Sequence, residues 1–183
     1  GGLSFAMIAP LDRRQGVGAF LEAARTTRRE LPSTSFVLAG GEGSGPGAFP
    51  VRHLEAFREA VTHVPEPFDP AEILQAAHVV VAPMSYGGIT YELLRGLAAG
   101  RPVITTATPG ASRIVDERIN GCLVPPSDPE ALAAAFRSFL AHPELMPVMA
   151  RASRLKAERR FDASEVVPVL LAALGLGPLP GAA

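Results

Sequence analysis

Residues 78–106 read HVVVAPMSYGGITYELLRGLAAGRPVITT, a pattern of strand, glycine turn, helix, tight turn and strand. Val79, Val80 and Val81 form an apolar run of strand length, and a second such run starts at Val103. Strands that are apolar throughout are typical of parallel sheets covered by helices on both faces. The stretch therefore predicts two strands of a buried parallel sheet, joined by a helix.

A glycine pair, Gly87 and Gly88, lies between the first strand and the helix, and Ile89 and Thr90 open that helix. Glycine lets a backbone approach another group closely, because it has no Cβ atom. Backbone N–H groups at a helix N-terminus, with the positive end of the helix dipole behind them, favour phosphate. Segment 87–90 is therefore a candidate phosphate-binding turn. A plain strand-to-helix turn that needs one left-handed glycine explains the same residues.

The same alternation runs along the rest of the chain. We predict strands at residues 5–9, 35–39, 61–64, 78–82, 102–106 and 121–124. We predict helices at residues 16–30, 51–60, 70–77, 90–99 and 128–141, a short turn at 111–115, and a last helix from 162 to 174. This order is typical of an open doubly wound α/β fold with a parallel, Rossmann-like sheet.

Several helix starts carry capping residues. Asp69 and Asp128 each precede a proline, which combines an N-cap with proline at the first helical position. Asp162 begins a segment that resembles a capping box. Pro147 interrupts the preceding segment, so we predict a helix there that is kinked or begins late.

Composition limits the class of protein. The 183 residues are 48% hydrophobic, which favours one domain over residues 1–174, with a loose tail over 175–183. The net charge of −1 and the interspersed Arg and Glu residues argue against nucleic-acid binding. Cys122, the only cysteine, has no partner for a disulfide within the chain and is expected to be a small buried residue.

The ends of the chain add weaker expectations. Because the sequence opens with Gly-Gly and lacks an initiator Met, we expect that a preceding domain has been removed. A reducing cytosol fits the lone cysteine and the lack of a signal peptide, so we expect a cytoplasmic protein. The Ala, Arg and Gly bias suggests a bacterial source.

Other kinds of site find little support. The histidines have no metal-ligand spacing, and the serines have no G-x-S-x-G setting, so we expect neither a metal ion nor a hydrolase nucleophile. The glycine run at 40–47 does not fit G-x-G-x-x-G, which excludes a dinucleotide fingerprint. We interpret that run as a flexible rim loop in which Glu42 is a sugar-contact candidate.

Several linked motifs stand in one order. They are the apolar strand ending at Pro83, the turn at Gly88, the run LLRGLAAGRPVI at 93–104 and the run NGCLVPPSDPEAL at 120–132. On these motifs the chain resembles the C-terminal domain of GT-B glycosyltransferases, in particular the retaining family 4 (glycosyl transferases group 1). The likeness covers residues 5–170.

The resemblance implies a donor-side domain. Such a domain holds the nucleotide diphosphate of a sugar donor and needs no metal or other cofactor, while an N-terminal domain holds the acceptor across a cleft. That acceptor domain is absent here, so we expect the isolated domain to be inactive. Any peripheral membrane contact would come through the missing domain, and a homo-oligomer is compatible with the sequence.

Four side chains that the family pattern implies are missing. Two acids eight positions apart flank the glycine turn in the family, and Gly87 and Arg95 stand there instead. Pro10 and Gln15 occupy the positions of two cations that neutralise the diphosphate. Since a charged hydrogen bond contributes about 1.5–3 kcal/mol, losing both cations would weaken donor binding by roughly two to four orders of magnitude.

Substitutes are available. Arg13 and Arg14 could supply positive charge to the diphosphate, or be solvated surface arginines. Arg95 could pair with Glu92 one turn earlier, or contact a phosphate or an acidic group of the donor. The remaining ribose, base or sugar candidates are Glu66, Glu92 and Tyr86.

Three functions stay open on the sequence. The leading one is a donor-binding domain of a retaining glycosyltransferase, with Gly87, Gly88, Ile89 and Thr90 on the diphosphate. The alternative is a degenerate glycosyltransferase domain with a scaffold or regulatory role. A free-standing nucleotide- or small-molecule-binding module is the third.

Overall fold

A computed structural model describes residues 2–85 and 90–176 of the chain. Within these residues the strands are β1 (Ser4–Ile8), β2 (Ser35–Ala39), β3 (Thr62–Val64), β4 (Val79–Ala82), β5 (Val103–Thr106) and β6 (Gly121–Val124). The α-helices are α1 (Val17–Glu30), α2 (Pro70–Ala76), α3 (Tyr91–Ala98), α4 (Pro129–Ala141), α5 (Met146–Phe161) and α6 (Ala163–Ala173).

The six strands form one sheet in the order β3-β2-β1-β4-β5-β6, and every described pairing is parallel. The chain builds outward from β1 to β3, returns to β4 on the other side of β1, and continues to β6. This confirms the predicted open doubly wound sheet. Strand order reverses between β1 and β4, which is where ligands bind in sheets of this kind.

Both faces of the sheet are buried. Successive side chains of a strand point to opposite faces, so neighbouring residues of one strand join different cores. Val79 and Val81 of β4 join an aromatic core with α1 and α4, whereas Val80 and Ala82 join an aliphatic core with α2, α3 and α5. The aromatic core is centred on Phe5, Phe20, Phe36 and Phe136, each at most 1% exposed.

The predicted helix starts are confirmed. Asp69, Asp128 and Asp162 each accept a hydrogen bond from a backbone N–H of the first helical turn. Pro147 lies in the first turn of α5, which begins at Met146 after a 3-10 turn. The helix therefore begins late, as a proline lacking an N–H requires.

Two sequence-based expectations are wrong. Residues 51–60 do not form an α-helix: a 3-10 helix spans Val51–Phe57, with Leu54 its buried residue. A single buried residue gives this segment no amphipathic face that could stabilise an α-helix. Cys122 is half-buried rather than buried, since it lies on edge strand β6. Burial and the neighbouring Glu117 carboxylate raise the pKa of the Cys122 thiol to about 12.

Helix α6 differs from the others because none of its residues is buried. Val166, Val167, Val169 and Leu170 are between 43% and 70% exposed. Helix α6 packs against α5. Its apolar side chains are thus displayed on the surface of this chain.

Candidate functional site

The candidate site lies at the carboxyl edge of the sheet, where the loops after β1 and β4 meet. Gly16 follows the first loop and has φ +82, a left-handed conformation. A Cβ atom added to Gly16 would lie 1.9 Å from the carbonyl oxygen of Pro83. The two loops therefore touch through backbone atoms, and only glycine fits at this contact.

The loop after β4 is anchored before it reaches the predicted phosphate turn. The hydroxyl groups of Thr105 and Thr106 on β5 donate to the carbonyl oxygens of Ala82 (2.8 Å) and Met84 (2.7 Å). The Ser85 N–H donates to the Arg14 carbonyl oxygen at 2.9 Å. The backbone thus enters the turn from a fixed position.

The far side of the turn is fixed by the start of α3. Thr90 is the N-cap residue, and its hydroxyl accepts a hydrogen bond from the Leu93 N–H at 3.2 Å. The Thr90 side chain therefore caps α3. Tyr86, Gly87, Gly88 and Ile89 lie outside the described residues, so their predicted contacts with the donor stay predictions.

The loop after β1 is also joined to the loop after β2. Leu11 N–H donates to Gly41 at 2.9 Å, Arg13 N–H donates to Gly47 at 2.8 Å, and Phe49 N–H donates to Leu11 at 2.8 Å, in each case at a carbonyl oxygen. The glycine run predicted as a rim loop is therefore a backbone-bonded part of the carboxyl edge. We call the joined loops 9–16 and 40–50 the rim.

Arg14 forms an ion pair within the rim. Its Nε donates to both carboxylate oxygens of Asp12 at 3.0 and 3.1 Å, and Nη2 donates at 2.6 Å. The Asp12 side chain is 7% exposed and that of Arg14 57% exposed. Hydrogen bonds from Arg14 lower the pKa of the Asp12 carboxyl, although burial opposes this shift, so Asp12 is ionised at neutral pH.

The Asp12–Arg14 pair changes the interpretation of the two arginines. Arg14 is neither simply solvated nor an unopposed positive charge, because a carboxylate accompanies it. The Arg13 guanidinium carbon lies 6.0 Å from the centre of the Phe49 ring. Within residues 2–85 and 90–176 no carboxylate pairs with Arg13, so Arg13 is an exposed rim cation without an acidic partner there.

Two acidic candidates also lie at the carboxyl edge. Glu42 and Glu66 are both exposed, after β2 and β3 respectively. A Cβ atom added to Gly41 would lie 2.7 Å from Glu66 Oε2, so the Glu66 carboxylate rests against the rim. The negative charge of both acids would repel an anionic ligand at this edge.

The predicted ion pair between Glu92 and Arg95 is wrong. The Arg95 guanidinium instead lies over the Tyr91 ring, 4.2 Å from its centre. Residues four apart on a helix share a face, and a cation over an aromatic ring is attracted to it. Tyr91 is 64% exposed, whereas Glu92 and Arg95 are each partly buried.

Sequence reasoning missed Asp12. Its signal was an acid two residues before Arg14, a spacing that lets one carboxylate bind both a backbone N–H and a side chain. The Arg14 N–H indeed donates to Asp12 Oδ1 at 2.7 Å. No group of three or more His, Cys, Asp or Glu residues suited to a metal ion occurs in the part of the chain that the structure describes.

The fold and the carboxyl-edge loops define a class of protein: a doubly wound domain that binds ligands where loops after β1 and β4 meet. The model of the family "Glycosyl transferases group 1" matches residues 3–142. The chain belongs to this family, and it has the architecture of the C-terminal domain of a GT-B glycosyltransferase.

Individual relatives agree with this assignment. The chain is 31% identical over 174 residues to the putative colanic acid biosynthesis glycosyltransferase WcaL of Escherichia coli, covering 87% of this chain and 42% of WcaL. It is 26% identical over 164 residues to the amylovoran biosynthesis glycosyltransferase AmsK of Erwinia amylovora, covering 85% of this chain and 40% of AmsK.

Solved structures show the same fold. Anabaena HepE, solved with UDP, superposes with a TM-score of 0.84 at 16% identity, covering 95% of this chain and 49% of HepE. The C-terminal domain of the group 1 protein LpcC from Francisella tularensis has a TM-score of 0.75 at 18% identity, covering 87% of this chain and 86% of the LpcC domain.

The chain spans about 40% of the length of these two curated relatives. Their remaining length has no counterpart in these 183 residues. Among the helices of residues 2–85 and 90–176, none has both the length and the apolar character that crossing a bilayer requires.

Proposed function

We propose that this chain is the donor-binding domain of a retaining glycosyltransferase, which holds a nucleotide diphosphate sugar where the loops after β1 and β4 meet. One observation carries the proposal. Gly16 lies against Pro83 at the reversal of strand order, and the loop that contains Pro83 leads to α3, whose N-cap is Thr90. A diphosphate placed there would meet a helix N-terminus and the rim together.

The donor chemistry is suggested by solved relatives. HepE has been solved with UDP and with UDP-glucose. We therefore assign a uridine diphosphate sugar as the first donor to test, with a guanosine diphosphate sugar second. Backbone N–H groups of segment 87–90 would contact the diphosphate, and Glu66 or Glu92 would contact the ribose or base.

Alongside Arg14, positive charge in this site would come from Arg13. It is the rim cation without a carboxylate partner among the described residues, whereas Arg14 shares its charge with Asp12. Stabilising the leaving diphosphate is an electrostatic task, so this domain needs no proton-transferring group. We assign no metal ion to the site.

The acceptor would bind on a second domain. The relatives are more than twice as long as the part that this chain matches. Exposed apolar residues on α6, among them Val169 at 70% exposure, would pack against that domain. Retention at the sugar, bacterial origin, cytoplasmic location and oligomeric state stay predictions.

A second candidate function is a degenerate domain that keeps the scaffold without turning over a donor. It is favoured by Gly87 and Arg95 at the family acid positions and by Pro10 and Gln15 at the cation positions. The negative charges of Asp12, Glu42 and Glu66 near the same edge favour it further.

Titration calorimetry separates the two functions. The chain is titrated at low salt with UDP, GDP and ADP, alongside Arg13→Ala and the control Arg58→Ala, whose exposed partner is Glu55. Donor binding predicts millimolar or tighter binding of one nucleotide, weakened about tenfold or more by Arg13→Ala and unchanged by Arg58→Ala. Absence of binding by all three nucleotides would favour the degenerate domain.

A further inference from the structure

The most strongly constrained charged group of the rim is Asp12. It is 5% exposed, whereas Arg13 and Arg14 beside it are exposed. Its carboxylate accepts from the Arg14 backbone and from two nitrogens of the Arg14 guanidinium. Side-chain and main-chain atoms of Arg14 are thus held by one group.

Gly47 closes this arrangement from the second loop. A Cβ atom added there would lie 2.6 and 2.7 Å from the two Asp12 carboxylate oxygens and 2.8 Å from Arg14 Nε. The Arg13 N–H donates to the Gly47 carbonyl oxygen at 2.8 Å. The ion pair therefore packs against the Gly47 backbone, where an added Cβ atom would force the carboxylate or the guanidinium to move.

The backbone of Arg14 also reaches the other loop of the site. Its carbonyl oxygen accepts from Ser85, the last described residue before the predicted phosphate turn. Arg14 thus connects the rim to the loop after β4. Asp12, which holds the Arg14 side chain, therefore lies next to the contact between the two loops.

We propose that Asp12 is a positioning residue of the donor site, acting through Arg14, which it orients toward the diphosphate of a nucleotide sugar. The inference rests on the proposed donor-binding function. Asp12 itself does not touch the donor in this account. It engages the Nε and Nη2 edge of a planar guanidinium, so the Nη1 edge faces away from Asp12.

Because Asp12 is negatively charged, its effect on donor affinity can distinguish a positioning role from simple charge repulsion. An ionised carboxylate near a diphosphate repels it, so charge alone would make Asp12 unfavourable for donor binding. Any favourable effect must come from holding Arg14 in a productive orientation before the donor arrives. Removal of Asp12 therefore gives opposite changes in affinity under the two explanations.

A double-mutant cycle on UDP affinity tests the inference. The variants are Asp12→Ala, Arg14→Ala and their combination, with Glu55→Ala, Arg58→Ala and their combination as a matched cycle on an exposed ion pair. We expect Asp12→Ala and Arg14→Ala each to weaken UDP binding about tenfold, and the double variant to bind like Arg14→Ala. A purely structural role would instead make the double variant weaker than Arg14→Ala.

Fold integrity is checked by thermal unfolding of each variant. Should Asp12→Ala fail to fold, Asp12→Asn replaces it, because the amide keeps the shape and one acceptor for the Arg14 N–H. We expect Asp12→Asn to weaken UDP binding severalfold in the wild-type background and not at all in the Arg14→Ala background.

Four results would overturn the inference. UDP affinity of Asp12→Ala or Asp12→Asn equal to that of the wild type removes the positioning role, and tighter binding makes Asp12 an opposing charge. Additive effects in the cycle remove the action through Arg14. If the wild type binds no nucleotide, both the proposed donor function and this inference fail. If the wild type binds UDP and the Asp12 variants bind it equally well, only this inference fails.

Discussion

The aromatic core and the rim are built on the same β1 strand, yet they differ in what holds them together. Beneath the sheet, the rings of Phe5, Phe36 and Phe136 pack with centres 4.7–5.3 Å apart. Above its carboxyl edge, the rim is joined by backbone hydrogen bonds and the Asp12–Arg14 pair. The buried core residues thus lie away from the proposed donor site, and the charged residues of the rim contribute little to the core.

This separation would let the fold persist while charged groups at its edge change. Pro10 and Gln15, which stand where the resemblance implies cations, belong to neither buried core. A scaffold of this kind tolerates changes at its edge because function depends on the site and not on the fold. Changes in the core should therefore alter stability and leave affinity intact, whereas changes at Asp12 or Gly16 in the rim should alter affinity as well as stability.

The largest effect is expected from the core. Phe136→Ala removes a ring that is 0% exposed and packed against Phe5 and Phe36. We expect a loss of about 3–5 kcal/mol in the free energy of unfolding, measured by urea denaturation. Val148→Ala, at a residue 68% exposed, is the control and should change stability by less than about 0.5 kcal/mol. A similar small loss for Phe136→Ala would refute the described core.

A smaller stability effect is expected where the core ends and the site begins. Gly16→Ala places a Cβ atom 1.9 Å from the Pro83 carbonyl oxygen at φ +82. The left-handed conformation alone costs an alanine about 1–2 kcal/mol, and the clash adds to this. We expect weaker UDP binding as well, measured by calorimetry.

Gly45→Ala is the matched control for Gly16→Ala. Gly45 has φ +76, and no atom lies within 4 Å of an added Cβ. It should show the conformational cost and keep UDP affinity unchanged. Equal losses of affinity in both variants would contradict contact between the loops after β1 and β4.

The Asp12–Arg14 pair predicts a modest pH dependence. Because hydrogen bonds lower the folded-state pKa of Asp12, its stabilising contribution is present above the ordinary pKa of about 3.9 and is lost as pH falls through the folded value. The Tm difference between wild type and Asp12→Asn should therefore be largest near pH 7 and shrink below about pH 4. A Tm difference that does not change with pH would mean that the ionised carboxylate is not responsible.

The smallest effect is expected at an exposed ion pair outside both regions. Arg58 and Glu55 have side chains 69% and 68% exposed. Arg58→Ala should change the free energy of unfolding by about 0–1 kcal/mol and leave UDP affinity unaltered. A change in affinity would extend the donor site beyond the rim.

The sequence predicted the strands, the open parallel sheet and the capped helix starts, because these depend on local periodicity and capping chemistry. It did not predict the 3-10 helix at Val51–Phe57, which depends on how few of its residues find a buried surface. The Asp12–Arg14 pair and the Arg95 contact with Tyr91 depend on side-chain orientation, which spacing alone leaves undetermined. Charged side chains at the site were thus harder to place than the scaffold beneath them.

Backbone amide NMR during a UDP titration tests the central claim most directly, since it locates the ligand residue by residue. Binding where the loops after β1 and β4 meet predicts the largest shifts at Arg13, Arg14, Gly16, Ser85 and Thr90. It predicts little change at Cys122 and Phe139, which line the groove between β6 and α4. Shifts concentrated in that groove, or no shifts at millimolar UDP, would contradict the account.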